Sequence, residues 1–223
     1  MINEIIASRK KTKPGQETAS YSIFTWAEIN PIYDPITSIY VQPEKSIPEE
    51  DFQLLTQFLS RTSTCIEGSR MADKEAKLLY FISPILVVVC SLFKGEAQIK
   101  VEQNLNGNNI KATGRFEFML QRGGKRICII EAKKDDMSQG LAQCLIGCEV
   151  ASDVDKIDVV YGIVTTFSGW LFLKSCDGKI EYEITSIEII DGKPNPDGVR
   201  RIAGKIYALL SDAPTDPVEV GNE

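Results

Sequence analysis

"GRFEFMLQRGGKRICIIEAKKDDMSQGLAQ", residues 114–143, carries the reading of the fold. Two apolar runs flank Gly123-Gly124, and a glycine pair between alternating runs signals a hairpin. A loop formed by Gly123, Gly124 and Lys125 pairs Arg122 with Arg126 and, further out, Glu117 with Glu131. Opposed residues share a sheet face with Cβ atoms about 4.5–5.5 Å apart. Lys133 points to the same side as Glu131. The second strand is apolar on both faces, through Ile127, Cys128, Ile129 and Ile130, which places it in the middle of a sheet. Two carboxylates held that close repel unless one takes a proton or a cation sits between them. Lys133 supplies part of that charge, and a hard divalent ion held by oxygen ligands supplies more, which suits Mg²⁺ or Mn²⁺.

The remaining composition narrows the chemistry. The chain has 223 residues, 43% hydrophobic and 25% charged, as in an ordinary globular domain. It has no histidine, which removes Ser-His-Asp and Cys-His nucleophilic catalysis, HExxH zinc hydrolysis and any histidine base. Neither GxxxxGK[ST] nor GxGxxG occurs, so no phosphate-cradling loop is on offer. A net charge of −6 excludes a uniformly basic coat and leaves room for a local basic surface. The longest apolar stretch, residues 78–93, is broken by Ser83, Pro84 and Ser91 and is shorter than the roughly 20 residues of a membrane span. Six scattered cysteines lack the spacing of a disulfide scaffold. Cys144 and Cys148 lie one helical turn apart, half of a zinc set without the other half, and read as buried thiols.

Along the chain, residues 1–20 read as a flexible basic arm, 21–210 as one domain with an irregular lead-in, and 211–223 as a disordered acidic tail. Helical spacing predicts a helix over 49–61 and another from about Met71, in which Glu75 ends a stripe with Leu78, Leu79 and Ile82. Pro84 is expected to kink or end it, and the β-branched run that follows fits either helix or strand. Turn signals divide 97–133 into a meander of strands. Residues 137–150 return to helical spacing with Ser138 as cap and Gln139 and Gln143 on a second face. Two buried strands, a further strand or strand pair and a closing helix complete an α/β order, a mixed central sheet flanked by helices.

"TGRFEF", "IIEAKK" and "QGLAQ" in this order resemble the metal-binding core of the PD-(D/E)xK nuclease superfamily. The run from about 71 to 186, with "VVYGIVTTFSGWLFLK", is similar to the nuclease-like C-terminal domains of Crinkler-type effectors. The resemblance implies a restriction-endonuclease-like fold and hydrolysis of phosphodiester bonds in nucleic acid, with DNA favoured over RNA, by metal-activated water. Glu117 and Glu131 would be metal-binding acids, the Ala132 carbonyl a further ligand, and Glu75 the acid of the first helix. Lys133 would orient or help deprotonate the attacking water, and Gln143 would be the polar helix residue facing the site, with Gln139 beside it. Arg115, Lys125, Arg126 and Lys134 would meet phosphates if they rim it. An intracellular location is expected, the nucleus of a host cell if the Crinkler resemblance holds and the cytoplasm otherwise, with a host protein as the other class of partner. Two departures stand out: glutamate at 117 in place of the more usual aspartate, and no recognisable LFLAK-like translocation motif.

Bland alternatives stand beside each assignment. Glu131 and Lys133 also fit a strand-end ion pair, Glu75 a first-turn acid that complements the helix dipole, and Gln143 an ordinary helix-surface residue. The basic residues also fit a solvated hairpin, while Trp170 and Tyr161 read as core aromatics. An inactive nucleic-acid-binding module and a protein-interaction scaffold remain alternatives to the enzyme.

Overall fold

A computed structural model of the chain describes residues 2–10, 18–33, 36–66, 73–123, 125–132, 136–176 and 178–211, and of these the side chains of all but 8–10 and 125–132. The elements run α1 (Ile2–Lys10), β1 (Ala19–Ser20), a 3₁₀ turn (Tyr21–Ile23), α2 (Trp26–Tyr33), β2 (Thr37–Ile39) and α3 (Glu49–Cys65). Next come α4 (Lys74–Lys77), a π-helical turn (Leu78–Ile82), α5 (Ser83–Ser91), β3 (Ala97–Asn106), β4 (Ala112–Arg122) and β5 (Lys125–Ala132). After α6 (Met137–Asp155) follow β6 (Val159–Thr165), β7 (Gly169–Cys176) and β8 (Lys179–Ser186). A small ribbon of β9 (Ile189–Ile190) and β10 (Lys193–Pro194) leads into α7 (Pro196–Ser211).

The main sheet has the order β1-β4-β5-β6-β7-β8-β2, with β3 along the other edge of β4. It is mixed: β5–β6, β1–β4 and β2–β8 are parallel, and the remaining pairs antiparallel. The β5–α6–β6 unit is the crossover that a parallel pair requires. Helices cover both faces. On one, α3, α5 and α7 close a core over Leu120, Ile163, Trp170 and Phe172. On the other, α2 and α6 close a second core over Met119, Val160, Leu171 and Leu173. The alternation along "WLFL" therefore serves two cores at once, and each fully buried Leu or Phe contributes about 1.5–3 kcal/mol. The expected α/β class, a mixed sheet flanked by helices, is the architecture found.

Several local expectations are corrected. The hairpin is tighter than a three-residue loop: Arg122 registers with Lys125, not Arg126. Gly123, at φ +61, takes the turn, and a register shift between Leu120 and Gln121 restores the pairing, so that Phe118 lies opposite Ile130. The β-branched run after Pro84, which fitted helix or strand, is resolved as helix, with Pro84 in the first turn of α5 and Ile85, Leu86 and Val89 fully buried. Asp136, not Ser138, caps α6, its carboxylate accepting from the Gln139 N–H at 2.8 Å. The stretch expected to be a solvated arm contains α1, with Ile6 buried, and the lead-in contains α2 and β2. The acidic tail lies outside the described residues.

Two close fits hold α6 in place. Gly162 on β6 lies beneath it, where a Cβ would stand 2.4 Å from Cys144 Sγ and 3.1 Å from Cys148 Sγ. Both thiols are buried, and among the described residues no group of three or more His, Cys, Asp or Glu could hold a metal ion. At the far end of α6, Asp153 accepts from Asn109 N (2.6 Å), Asn109 Nδ2 (2.5 Å) and Ile110 N (3.1 Å), clamping the β3–β4 turn. On the opposite face the buried Lys205 ammonium donates to Gln42 O (2.8 Å) and Glu183 Oε2 (2.9 Å), which ties the segment after β2 to β8 and α7.

Gly162→Ala forces the two sulfurs to move, and overpacking of this kind costs about 1–3 kcal/mol. A thermal melt is expected to show Tm lowered by about 2–4 °C per kcal/mol, and an unchanged Tm would contradict the close α6–β6 fit. Burial would raise the Asp153 pKa, but the hydrogen bonds from Ile110, Asn109 and Lys156 hold it well below the usual carboxylate range. Its stabilising contribution is thus complete above the unfolded pKa of about 3.9 and is lost as pH falls through the lower folded value. The stability gap between wild type and Asp153→Asn is therefore expected to be constant from about pH 5 upward and to shrink below about pH 4. Denaturant melts across this range check it, and a gap that widens on acidification would contradict it.

Candidate functional site

Glu117 sits where the sheet divides. The edge of β4 that faces β5 over Phe118–Arg122 faces β1 at Ala112 and Thr113, since β3 takes the opposite edge throughout. Between these two partners, Gly114 to Glu117 form the crotch of a fork. Tyr21 packs into it from the 3₁₀ turn: a Cβ on Gly114 would fall 1.9 Å from the Tyr21 ring, and the Tyr21 hydroxyl donates to Leu105 O at 2.8 Å. Only glycine at 114 leaves room for that ring.

The strand also changes face here. Phe118 and Leu120 belong to the core under α3, α5 and α7, whereas Phe116 belongs to the core under α6. On β3, Ala97 is in the first core and Leu105 in the second, although both positions are odd. The exchange coincides with the one step at which β3 and β4 are not paired, where Glu102 would meet Glu117. Glu102 has φ +52, the left-handed region that disfavours a residue with a side chain. A break in both strands thus frees one position from the alternation. Its side chain can leave both cores, and a carboxylate occupies it.

Glu117 carries a cation partner. Lys74 Nζ, at the start of α4, donates to Glu117 Oε1, with side-chain exposures of 31% and 21% for the two residues. Ion pairs open to water contribute about 0–1 kcal/mol, so this one is readily exchanged. Arg115 is exposed on the same strand and lies 3.3 Å from Glu102 Oε1.

The other predicted site residues divide into those the structure places and those outside the described residues. Glu131 and Ala132 are placed as backbone only, registered with Val164 and Thr165 of β6. The β4–β5 pairing ends at Phe118 with Ile130, one step short of Glu117 and Glu131. The side chains of Glu131, Ala132, Lys125 and Arg126, and Lys133 and Lys134 altogether, lie outside the described residues. The parity that would set Glu117 beside Glu131 stops at this step, because β4 changes face there. Glu75 is exposed and lines a cleft of about 930 Å³ between α3 and α4, together with Phe58, Arg61, Asp73 and Tyr80. The residue of α4 that reaches Glu117 is its neighbour Lys74. Gln143 is buried, 8% exposed, rather than lying on the helix surface. Gln139 is committed to structure, its amide donating to Phe24 O at 2.8 Å and Ser22 O at 3.2 Å. Arg122 likewise caps α7 through Leu210 O at 2.6 Å and lies over the Phe93 ring. Trp170 is fully buried with its indole N–H on Phe167 O at 2.6 Å, as the core reading expects.

Lys74 is the residue that the sequence reading passed over. Its one signal was adjacency: "DKEAK" sets a lysine next to the acid of interest, and a helix turns about 100° between them. For a hard divalent ion the half-buried Glu117 carboxylate is a fitting type of donor, and the Lys74 ammonium on it is a competitor that the ion would have to displace. Glu131 and the Ala132 carbonyl, on the adjacent strand, are the residues that would complete an oxygen-only set.

No family model matches the chain. Over 213 residues, 94% of its length, it is 35% identical to Crinkler effector protein 5 of Phytophthora infestans, of which it covers 60%. Over 116 residues, 48% of its length, it is 28% identical to Crinkler effector protein 1 of Rhizophagus irregularis, of which it covers 24%. The chain thus spans about 60% of the first relative's length and about a quarter of the second's. These likenesses relate it to Crinkler effectors.

Proposed function

We propose that this chain is a nuclease-like effector domain of the PD-(D/E)xK type, with a restriction-endonuclease-like sheet, that hydrolyses phosphodiester bonds of nucleic acid, DNA in preference to RNA. The observation that carries this reading is the position of Glu117. A single carboxylate stands at the fork of the sheet, freed from the core by a break in two strands, with a cation on it and the Glu131-Ala132 segment on the neighbouring strand. The buried Gln143 on the helix that follows supports the same reading.

Glu117, Glu131, the Ala132 carbonyl and Glu75 would hold Mg²⁺ or Mn²⁺. The bound ion would supply the charge that makes water a nucleophile near neutral pH and offsets the phosphate. Lys133 would orient the attacking water and lie against a phosphate oxygen. Arg115, Lys125, Arg126 and Lys134 would hold the backbone of the nucleic acid along the rim, contacts that position without reading sequence. A host-cell nucleus as the place of action belongs to the same proposal, by way of the effector relatives. Among the described residues no helix is long and apolar enough to cross a membrane.

A second reading is favoured by Lys74. A carboxylate neutralised by a lysine can be a finished structural pair, and the domain would then be a module that binds DNA or a host protein without turnover. A cleavage assay on mixed DNA and RNA with Mg²⁺, Mn²⁺ or EDTA separates the two. The proposal expects cleavage that EDTA stops and that Glu131→Ala and Lys133→Ala reduce by at least about 10²-fold without changing the melt. Salt-dependent DNA binding that persists in EDTA, with no cleavage under either metal, establishes the module instead.

A further inference from the structure

We infer that α4 is a one-residue register switch at Glu117, in which Lys74 and Glu75 exchange places; the inference rests on the metal-dependent reading of that site. In the register described, the Lys74 ammonium sits on the Glu117 carboxylate and holds the position that a divalent ion would take. Glu75, the next residue of the helix, points away into the cleft beside α3.

The helix has the means to exchange them. Ser83 N–H bonds Leu78 O, five residues back, so the turn between α4 and α5 is a π turn, and such a turn carries one residue more than an α turn. Pro84 follows at once and offers no N–H to the Tyr80 carbonyl, so the regular ladder is already interrupted there. Below the turn, packing fixes the helix: Phe81, Ile82 and Ile85 are fully buried. Above it the hold is weaker, with Leu78 only partly buried against the same core. No residue of α4 is buried, and Leu79 and Tyr80 are 62% and 41% exposed.

If the extra residue moves toward the N-terminus past Lys74, every later residue of α4 advances by one place. Glu75 then stands where Lys74 stood, and a carboxylate replaces an ammonium opposite Glu117. One register blocks the carboxylate with an internal cation, and the other adds an oxygen donor. A divalent ion binds the second register alone and so draws the population toward it. Its apparent affinity is reduced by the fraction of chains held in the Lys74 register. Loss of Lys74 removes the competitor, and loss of Glu75 removes a ligand that lies on the wrong side of α4 in the blocked register.

Thermal melts of the whole chain along a Mn²⁺ series test this without reference to catalysis, because an ion that binds the native state raises Tm. The Mn²⁺ concentration for the half-maximal rise is the readout, for wild type, Lys74→Ala, Glu75→Gln and Glu117→Gln. Lys74 and Glu75 have no buried neighbours on α4, so both variants are expected to fold as wild type does in metal-free melts. The inference expects Lys74→Ala to respond at about tenfold less Mn²⁺, Glu75→Gln at about tenfold more, and Glu117→Gln not at all. A response in Lys74→Ala but none in wild type also supports it. If Glu117→Gln abolishes the response while Glu75→Gln or Lys74→Ala titrates as wild type does, the metal site stands and the switch falls. If neither wild type nor Lys74→Ala responds, or Glu117→Gln still does, both fall.

Discussion

The structure turns on a break at one step of the β3–β4 pair. On each side of Glu102 and Glu117 the two strands are in regular antiparallel register, and across that step both pass from one core to the other. Glu102 takes a positive φ to allow it, a conformation that costs about 1–3 kcal/mol and persists only where its surroundings impose it. Here they do: Tyr21 fills the space over Gly114 on one side, and the Phe118–Leu120 segment is held by β5 on the other. A side chain at Glu117 is released from alternation, which is why a carboxylate can stand in the central region of a sheet apolar on both faces.

The rest of the fold keeps that position open while closing everything around it. Gly162 lets α6 lie close against β6, and Asp153 fastens the other end of that helix to the β3–β4 turn. Asp136 starts α6 just past β5, so the segment bearing Glu131 enters a helix whose first turns hold Gln139 and Gln143. On the other face the buried aromatics Phe81, Trp170 and Phe172 fix the lower end of the π turn but leave α4 free of the core. Rigid support beneath a loosely held first helix is the combination in which a small change of helix register reaches a site without disturbing the fold.

Much of this was legible in the chain. The periodicities of α3 and α7 are strong because each lays one face on a large core, and α6, β6 and β7 show as apolar runs because they are buried on more than one side. The short pieces were not legible: α1, β1 and β2 carry few apolar residues, α2 is apolar but short and holds Pro31, and what holds them is distant, such as Ala19 pairing with Ala112. The site was half legible. Glu117 stood out as a carboxylate among apolar residues, and the pairing of Phe118 with Ile130 follows from counting outward from the glycine turn. The change of face at Glu117 does not, because it depends on the backbone of Glu102, whose sequence shows nothing unusual. For the same reason Lys74 was passed over in favour of Glu75: the π turn shifts the helix by one residue, and no hydrophobic period records it.

The likeness to proteins named as Crinkler effectors covers almost the whole chain, and the fork of strands bears one charge-balanced carboxylate. The claim on which the enzymatic reading depends is that Glu117 and Glu131 share a single divalent ion. Titration calorimetry with Mn²⁺ addresses it most directly. One ion bound per chain in the wild type, and none in either Glu117→Gln or Glu131→Gln, is the result the account predicts. Binding that survives loss of either carboxylate, or failure of both the wild type and Lys74→Ala to take up an ion, would contradict it.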